Sequence, residues 1–245
     1  AITVVPVAIA ALLLSIFVRG NPVYWTCIFW LRLSIWGARV ICGVRWRIQG
    51  MEHLPSAAER DRGVILLSKH QSTWETFAYP TLMSHPLAYV FKRELLYIPF
   101  FGWAMSRMDM IHIDRSKRSE AWNKVAARGK ELGARGIWVI MFPEGTRTDD
   151  GQLKPARSGI GLTVIKSDAP VVPVRVFGTY EAWSRHAKFP RPRRVVVKYG
   201  EPMLFTALRE EEKTCPKPRV KEIYQDIADQ LMAAIAKLEP VEDTR

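Results

Sequence analysis

GVILLSKHQSTWETFAYPTLM, residues 63–83, changes its hydrophobic period at the middle. Gly63–Ser68 is an unbroken apolar run of strand length, as expected of a strand buried on both faces. From Thr73 to Met83 the apolar side chains fall at helical spacing, so a short polar turn joins strand to helix. The same alternation continues outward. Leu87–Phe91 and Met110–Ile113 read as strands, and Ser116–Leu132 as a helix closed by Gly133 and Gly136. Ile137–Phe142, Val171–Phe177 and Arg194–Tyr199 read as further strands. From Arg219 to Leu238, Val220, Ile223, Tyr224, Ile227, Leu231, Ala234 and Ile235 form one apolar stripe, the mark of a surface helix packed on a sheet. The expected fold is α/β, a layered α-β-α domain with helices on both faces of the sheet.

Upstream of this domain the composition is different. Residues 1–51 contain no Asp, Glu or Lys, only Arg19, Arg32, Arg39, Arg45 and Arg47. Ile2–Val18 is apolar apart from Thr3, Pro6 and Ser15; as a helix it would reach about 26 Å, near a hydrocarbon core of about 30 Å. Arg19-Gly-Asn-Pro22 supplies a turn, and Val23–Trp46 is a second apolar stretch holding Trp25, Trp30, Trp36 and Trp46. Arg32 and Arg39 are spaced to share a helical face. The pattern suggests a segment at a membrane interface, with indole rings at headgroup level and guanidinium groups reaching anionic lipid. The alternative is a pair of core helices. The division expected is 1–47 as membrane-anchoring helices and 48–245 as the catalytic domain.

The whole chain has 245 residues, with 36 Lys and Arg against 24 Asp and Glu, and 48% hydrophobic positions. That excludes a disordered chain, and no internal repeat is visible. A formal charge of +12 favours an anionic partner: nucleic acid, an acidic membrane or a phosphorylated small molecule. Cys27, Cys42 and Cys215 lie far apart with no Cys-x-x-Cys spacing, so neither a disulfide framework nor a zinc site is expected, and a reducing compartment fits.

Chemistry-bearing residues gather where the strands end. His70 follows the first strand of the domain and Glu75 lies five residues on, about 140° away on a continuous helix. If the helix starts near Ser72, Glu75 falls in its first turn and its carboxylate folds back on the imidazole, fixing the tautomer and stabilising an imidazolium. A competing reading is local: Ser72 and Glu75 form Ser-x-x-Glu, a helix capping box. Phe142-Pro-Glu-Gly-Thr-Arg147 follows another strand. There Gly145 permits a tight turn, and Thr146 and Arg147 add a hydroxyl and a forked cation suited to a phosphate. Lys92 and Arg93, beside Leu95–Trp103 and the basic stretch Asp114–Arg118, set cations next to hydrophobes, as an amphiphile with an anionic head requires. Basic residues also cluster in Arg185–Lys198.

The order of these motifs resembles the glycerolipid acyltransferase family, in particular the 1-acyl-glycerol-3-phosphate acyltransferases. That family is known by a His and an Asp separated by four residues, a Lys stretch with Pro and Gly leading to Asp-Arg, a Glu-Gly-Thr-Arg loop, and a Pro flanked by Val or Ile. Here His70, Lys92 with Pro99 and Gly102, Asp114-Arg115, Glu144–Arg147 and Val171-Val-Pro-Val174 stand in those places, over residues 62–177. The acid departs from the pattern, Glu75 replacing Asp.

The resemblance implies a glycerophosphate-acyltransferase-like domain with a mixed sheet. It also implies direct transfer of an acyl chain from acyl-CoA or acyl-acyl carrier protein, as co-substrate, to the free hydroxyl of lysophosphatidate. His70 would be the base and Glu75 its partner. Lys92, Arg115, Gly145, Thr146 and Arg147 would hold the phosphate, with Glu144 accepting from substrate hydroxyls. Candidate oxyanion donors are the backbone amides that start the helix after His70. No metal, bound cofactor or nucleic acid is expected, and a membrane-lipid partner places the protein at the cytoplasmic face of a membrane. Other acceptors within the family, such as glycerol-3-phosphate or a lyso-ornithine lipid, stay open, as does a non-catalytic protein that binds anionic lipid.

Overall fold

Alternation within the strands decides the architecture. In the computed structural model, which describes residues 3–56, 58–59, 63–114 and 118–241, the strands are β1 (Val44–Gln49), β2 (Ile65–Ser68), β3 (Leu87–Lys92), β4 (Ile111–Ile113), β5 (Trp138–Met141), β6 (Val171–Phe177) and β7 (Arg193–Tyr199). They form one sheet in the order β1-β7-β6-β2-β5-β3-β4. Neighbours run parallel except β6 and β7, so the sheet is mixed, with β1 and β7 opposed to the rest.

Successive side chains of one strand enter different cores. Leu66 and Ile140 belong to one apolar cluster, whereas Ile65, Leu67, Val139 and Met141 belong to the other. A strand that must bury both faces reads as an unbroken hydrophobic run, which is how β2 and β5 look in sequence.

Helices close both cores. The first is covered by α2 (Asn21–Val40), α3 (Thr73–Leu82) and α7 (Thr179–Trp183), through Tyr24, Ile28, Ile35, Trp74, Tyr79 and Ala182. The second is covered by α5 (Arg118–Gly133), α6 (Gly159–Ser167) and α9 (Lys217–Lys237), through Val125, Leu132, Ile160, Val164, Ile223, Ile227, Leu231 and Ile235. Helix α8 (Thr206–Thr214) leads into α9. The layered α/β expectation and the mixed sheet are therefore observed.

The N-terminal segment differs from its sequence reading in two respects. Helix α1 (Val4–Phe17) has 14 residues, about 21 Å of rise, and among the described residues no helix is long and apolar enough to cross a membrane. The second apolar stretch is not one helix to Trp46. It stops at Val40 and turns into β1, where Trp46 packs at 6.0 Å from Trp74 beneath Arg39. Strand β1 pairs with β7 from Val44 to Gln49, so the sheet begins inside the stretch read as the anchor.

Helix α2 has two characters. Tyr24, Ile28, Ile35 and Ala38 enter the core, while Phe29, Leu33, Trp36 and Val40 are exposed. Small residues seat α1 against both α2 and the short helix α4 (Phe101–Met105), with Ala8, Ala11, Val23 and Ala104 in one cluster.

Because β1 and the buried stripe of α2 belong to the domain core, removing residues 1–47 is expected to abolish cooperative folding. Thermal melting followed by circular dichroism checks this: a truncated chain that melts like the full one would show the segment to be an independent anchor.

Candidate active site

Four parallel strands end on the same edge of the sheet, and the candidate residues hang from those ends. His70 follows β2, Lys92 closes β3, the Pro143–Arg147 loop follows β5, and Thr179 follows β6. The chain leaving β2 enters α3 over one core, whereas the chain leaving β5 reaches α6 over the other, so a crevice opens between the two departures.

His70 Nδ1 lies 2.7 Å from Glu75 Oε2. The pair is part-buried on the imidazole side and sealed on the other, since the ring is 13% exposed and the carboxylate 0%. Gln71 N donates to Oε2 at 3.0 Å, and Thr179 Oγ1 donates to Oε1 at 2.7 Å. The ring stacks on Phe142, with centroids 3.8 Å apart and planes at 17°. Thr148 N donates to the His70 carbonyl at 2.9 Å, tying the loop after β5 to the turn after β2. Nδ1 is engaged and ring rotation is blocked; the second ring nitrogen, Nε2, makes no hydrogen bond among the described residues.

The capping-box reading is answered by the same contacts. Ser72 is the N-cap of α3, but its Oγ accepts from Trp74 N at 3.0 Å and donates to the Trp183 carbonyl at 2.7 Å. Glu75 bonds the amide of Gln71, not that of Ser72. The amides of Gln71 and Trp74, candidates for an oxyanion, are thus already engaged.

A cavity of about 750 Å³ opens at His70. Around Arg147 lie Thr73, Gly145, Thr146, Arg157 and Arg185; Lys92 also lines the cavity, and Val7, Ile28, Leu31, Met105 and Met108 line its apolar part. Arg147 Nη1 donates to Thr73 Oγ1 at 2.6 Å. Burial, and then the neighbouring Arg185, lower the Arg147 pKa from its ordinary value, yet a guanidinium stays charged. Cations crowded in this way favour an anion between them. Gly145 holds a φ of +74°, and a Cβ there would stand 2.6 Å from Arg157 Nε, so the bare glycine lets this third guanidinium in.

Lys92, Gly145, Thr146 and Arg147 therefore share a cavity with His70. Glu144 is not among the lining residues; its carboxylate is buried and, among the described residues, neither oxygen has a hydrogen bond of good geometry, the Lys154 amide being its nearest backbone influence. Burial pushes the Glu144 carboxyl up to about 7, against the opposing influence of the Lys69 ammonium. Arg115 lies outside the described residues. Arg157, Thr73 and Thr179 were not among the expected site residues, and Arg185 entered only as the start of the basic cluster Arg185–Lys198; Thr179 carried a weaker signal, as a polar residue just after a central strand.

Fold and site together define an α/β domain with an imidazole–carboxylate pair at its strand ends, opening on a cavity that is cationic at one end and apolar over the rest. The Acyltransferase family model matches residues 45–177. The chain is 42% identical over 170 residues to the 1-acyl-sn-glycerol-3-phosphate acyltransferase of Pseudomonas aeruginosa, covering 69% of this chain and 63% of that protein. It is 32% identical over 171 residues to the enzyme of that name from Limnanthes douglasii, covering 70% and 57%. The matched stretch is thus less than two thirds of either relative's length. In fold, the chain is similar to the crystal structure of the 1-acyl-sn-glycerophosphate (LPA) acyltransferase of Thermotoga maritima, with a TM-score of 0.67 and 20% identity over 97% of this chain and 92% of that one. The protein belongs to the glycerolipid acyltransferase family.

Glu144 yields a pH-dependent expectation. Its folded pKa, about 7, stands above an ordinary value of 4.5, so burial costs stability once the group must ionise. The cost is absent well below pH 4.5, grows as pH rises from 4.5 to about 7, and is constant above that. Glu144→Gln should therefore gain on the parent between pH 5 and pH 8, by on the order of 1 kcal/mol, in urea unfolding.

Proposed function

We propose that the protein transfers an acyl chain from an acyl thioester to the free hydroxyl of 1-acyl-glycerol-3-phosphate, giving phosphatidate, with His70 as general base. The observation that carries this reading is the 2.7 Å contact between His70 Nδ1 and the sealed Glu75 carboxylate, at the mouth of a cavity that also holds Arg147.

In the proposed step, Nε2 removes the hydroxyl proton while Glu75 stabilises the imidazolium. The freed oxygen attacks the thioester carbonyl, an ester C–O bond forms, the C–S bond breaks, and the departing thiolate recovers the proton from the imidazolium. No acyl-enzyme forms. Arg147, Arg157, Arg185 and Lys92 hold the phosphate, with Thr146 and the Gly145 turn beside it. The apolar part of the cavity receives acyl chain. Acyl-CoA or acyl-acyl carrier protein is the co-substrate.

Membrane lipid is the proposed source of the acceptor. Helices α1, α2 and α4 line the cavity with their inner faces and expose Ile16, Phe17, Leu33, Trp36 and Trp103 on their outer ones. One set of helices can thereby sit in an interface and pass a chain inward.

With labelled acyl thioester and lysophosphatidate, His70→Ala should lose at least 10²-fold in kcat, the range of general-base catalysis. Arg147→Ala should instead raise KM for the acceptor more than it lowers kcat. Full turnover by His70→Ala would refute the base assignment, and preference for another lysolipid in an acceptor panel would move the activity within the family. Aspartate at both Ile16 and Phe17 should shift the protein toward the soluble fraction without changing its melting temperature. Unchanged sedimentation with vesicles would count against the membrane assignment.

A further inference from the structure

Glu75 is fully buried, and its donors come from two separate parts of the chain. Oε2 receives His70 Nδ1 and Gln71 N, but the short bond to Oε1 comes from Thr179 Oγ1, 104 residues away in sequence. The one other donor to Oε1, Gln71 N, is long at 3.3 Å.

Thr179 has no freedom in this arrangement. Its Oγ1 accepts from Gln71 Nε2 at 2.8 Å, and the same amide group reaches the Val176 carbonyl at 3.4 Å. A hydroxyl has one proton; the Gln71 amide nitrogen only donates to it, so that proton is given to the accepting Glu75 oxygen. Both residues are buried, Gln71 at 4% and Thr179 at 0% exposure, so water does not compete. The backbone sets the position as well. Gly178 turns the chain from β6 into α7 at a φ of +74°, and a Cβ there would come within 2.2 Å of the Arg194 carbonyl.

From this geometry, and resting on the reading of His70 as base, we propose that Thr179 is a positioning residue of the reaction, its Gln71-directed hydroxyl holding the Glu75 carboxylate aimed at His70 Nδ1. Two groups surround the carboxylate as cations, Lys69 and Arg147, and Glu144, Tyr79 and Tyr89 also face it. None of these makes a hydrogen bond to either Glu75 oxygen. Thr179 therefore supplies what they do not, a direct donor to Oε1. Deleting it leaves one buried oxygen nearly unserved, and the carboxylate is then free to rotate away from the imidazole.

The test compares kcat, KM and melting temperature of the full-length parent, Thr179→Val, Thr179→Ser and Glu75→Gln, using lysophosphatidate and an acyl thioester. Thr179→Val should lower kcat about tenfold or more, the effect of one hydrogen bond to a charged group, with both KM values within about twofold. Thr179→Ser, which keeps the hydroxyl, should restore kcat to within about twofold of the parent. In a Glu75→Gln background, Thr179→Val should add almost nothing, because the group it positions is gone. A packing role would instead lower the melting temperature, spare kcat and add in the double variant. If Thr179→Val does not fold, Thr179→Ala carries the same comparison. The proposal is overturned by full kcat in Thr179→Val, by a Ser variant as impaired as the Val one, or by additive losses. His70→Ala separates the two readings: turnover without the imidazole removes the base assignment, whereas an inactive His70→Ala beside an unaffected Thr179→Val removes only the role of Thr179.

Discussion

A carboxylate with no exposed surface is the most demanding group in this fold. Leaving Glu75 charged in the interior is tolerable only if its oxygens are served by donors with good geometry. Those donors come from the turn after β2 and from the residue that follows β6. The demand thus becomes one on topology: β2 and β6 must lie side by side and run the same way, as their register from Ile65–Val171 to Ser68–Val174 has them do. On the other flank of β2, β5 brings Phe142 against the imidazole and Thr148 to the His70 carbonyl. Three neighbouring strand ends converge on one side chain.

The same convergence shapes the cavity. With His70 pinned between β5 and α3, the loop after β5 lays Arg147 on Thr73 at the head of that helix, and the glycine at 145 admits Arg157 beside it. Positive charge is thereby concentrated at the polar end, while the walls contributed by α1, α2 and α4 are apolar. These helices follow a different rule from α5, α6 and α9, which present one buried stripe to the sheet. Leaving Phe17 85% exposed and Ile41 82% exposed is costly in water. Under the proposed membrane association, an apolar medium against these side chains would offset the cost.

Much of the scaffold was legible because both faces of the central strands are buried. Continuous runs such as Ile65–Leu67 and Trp138–Met141 admit few other readings, and β6 lies where expected, Val171–Phe177. Strand β1 escaped because Val44-Arg-Trp-Arg-Ile-Gln49 follows an apolar helix with no polar break of any length; the alternation in it is clear only once β7 stands alongside. At the site, residues inside recognisable motifs were legible and their supports were not. Arg157 and Arg185 reach the cavity from loops whose path depends on the whole sheet, and no spacing in the sequence encodes that path. Glu144 is the reverse case, since it sits inside the motif yet is buried and is not among the residues lining the cavity.

The competition between a helix cap and an imidazole partner at Glu75 illustrates how tertiary structure overrules a local motif. Ser72-x-x-Glu75 has the composition of a capping box, and in an isolated helix the two side chains would be expected to serve each other's amides. Here neither of the reciprocal bonds forms. Ser72 still caps α3, but through Trp74 N, and it spends its proton on the Trp183 carbonyl from α7. Glu75 is drawn one residue further back, to Gln71 N, by donors on either side of it. A capping glutamate is held by its own first turn and rests at the surface, where exchanging it costs about 1 kcal/mol. This one is held across a hundred residues of chain and shielded from water, so its place is set by β6 and α7 as much as by its own helix. The extra methylene that distinguishes it from the aspartate of the family's pattern is accommodated in that way: the longer side chain folds back past Ser72, and its far oxygen meets the Thr179 hydroxyl.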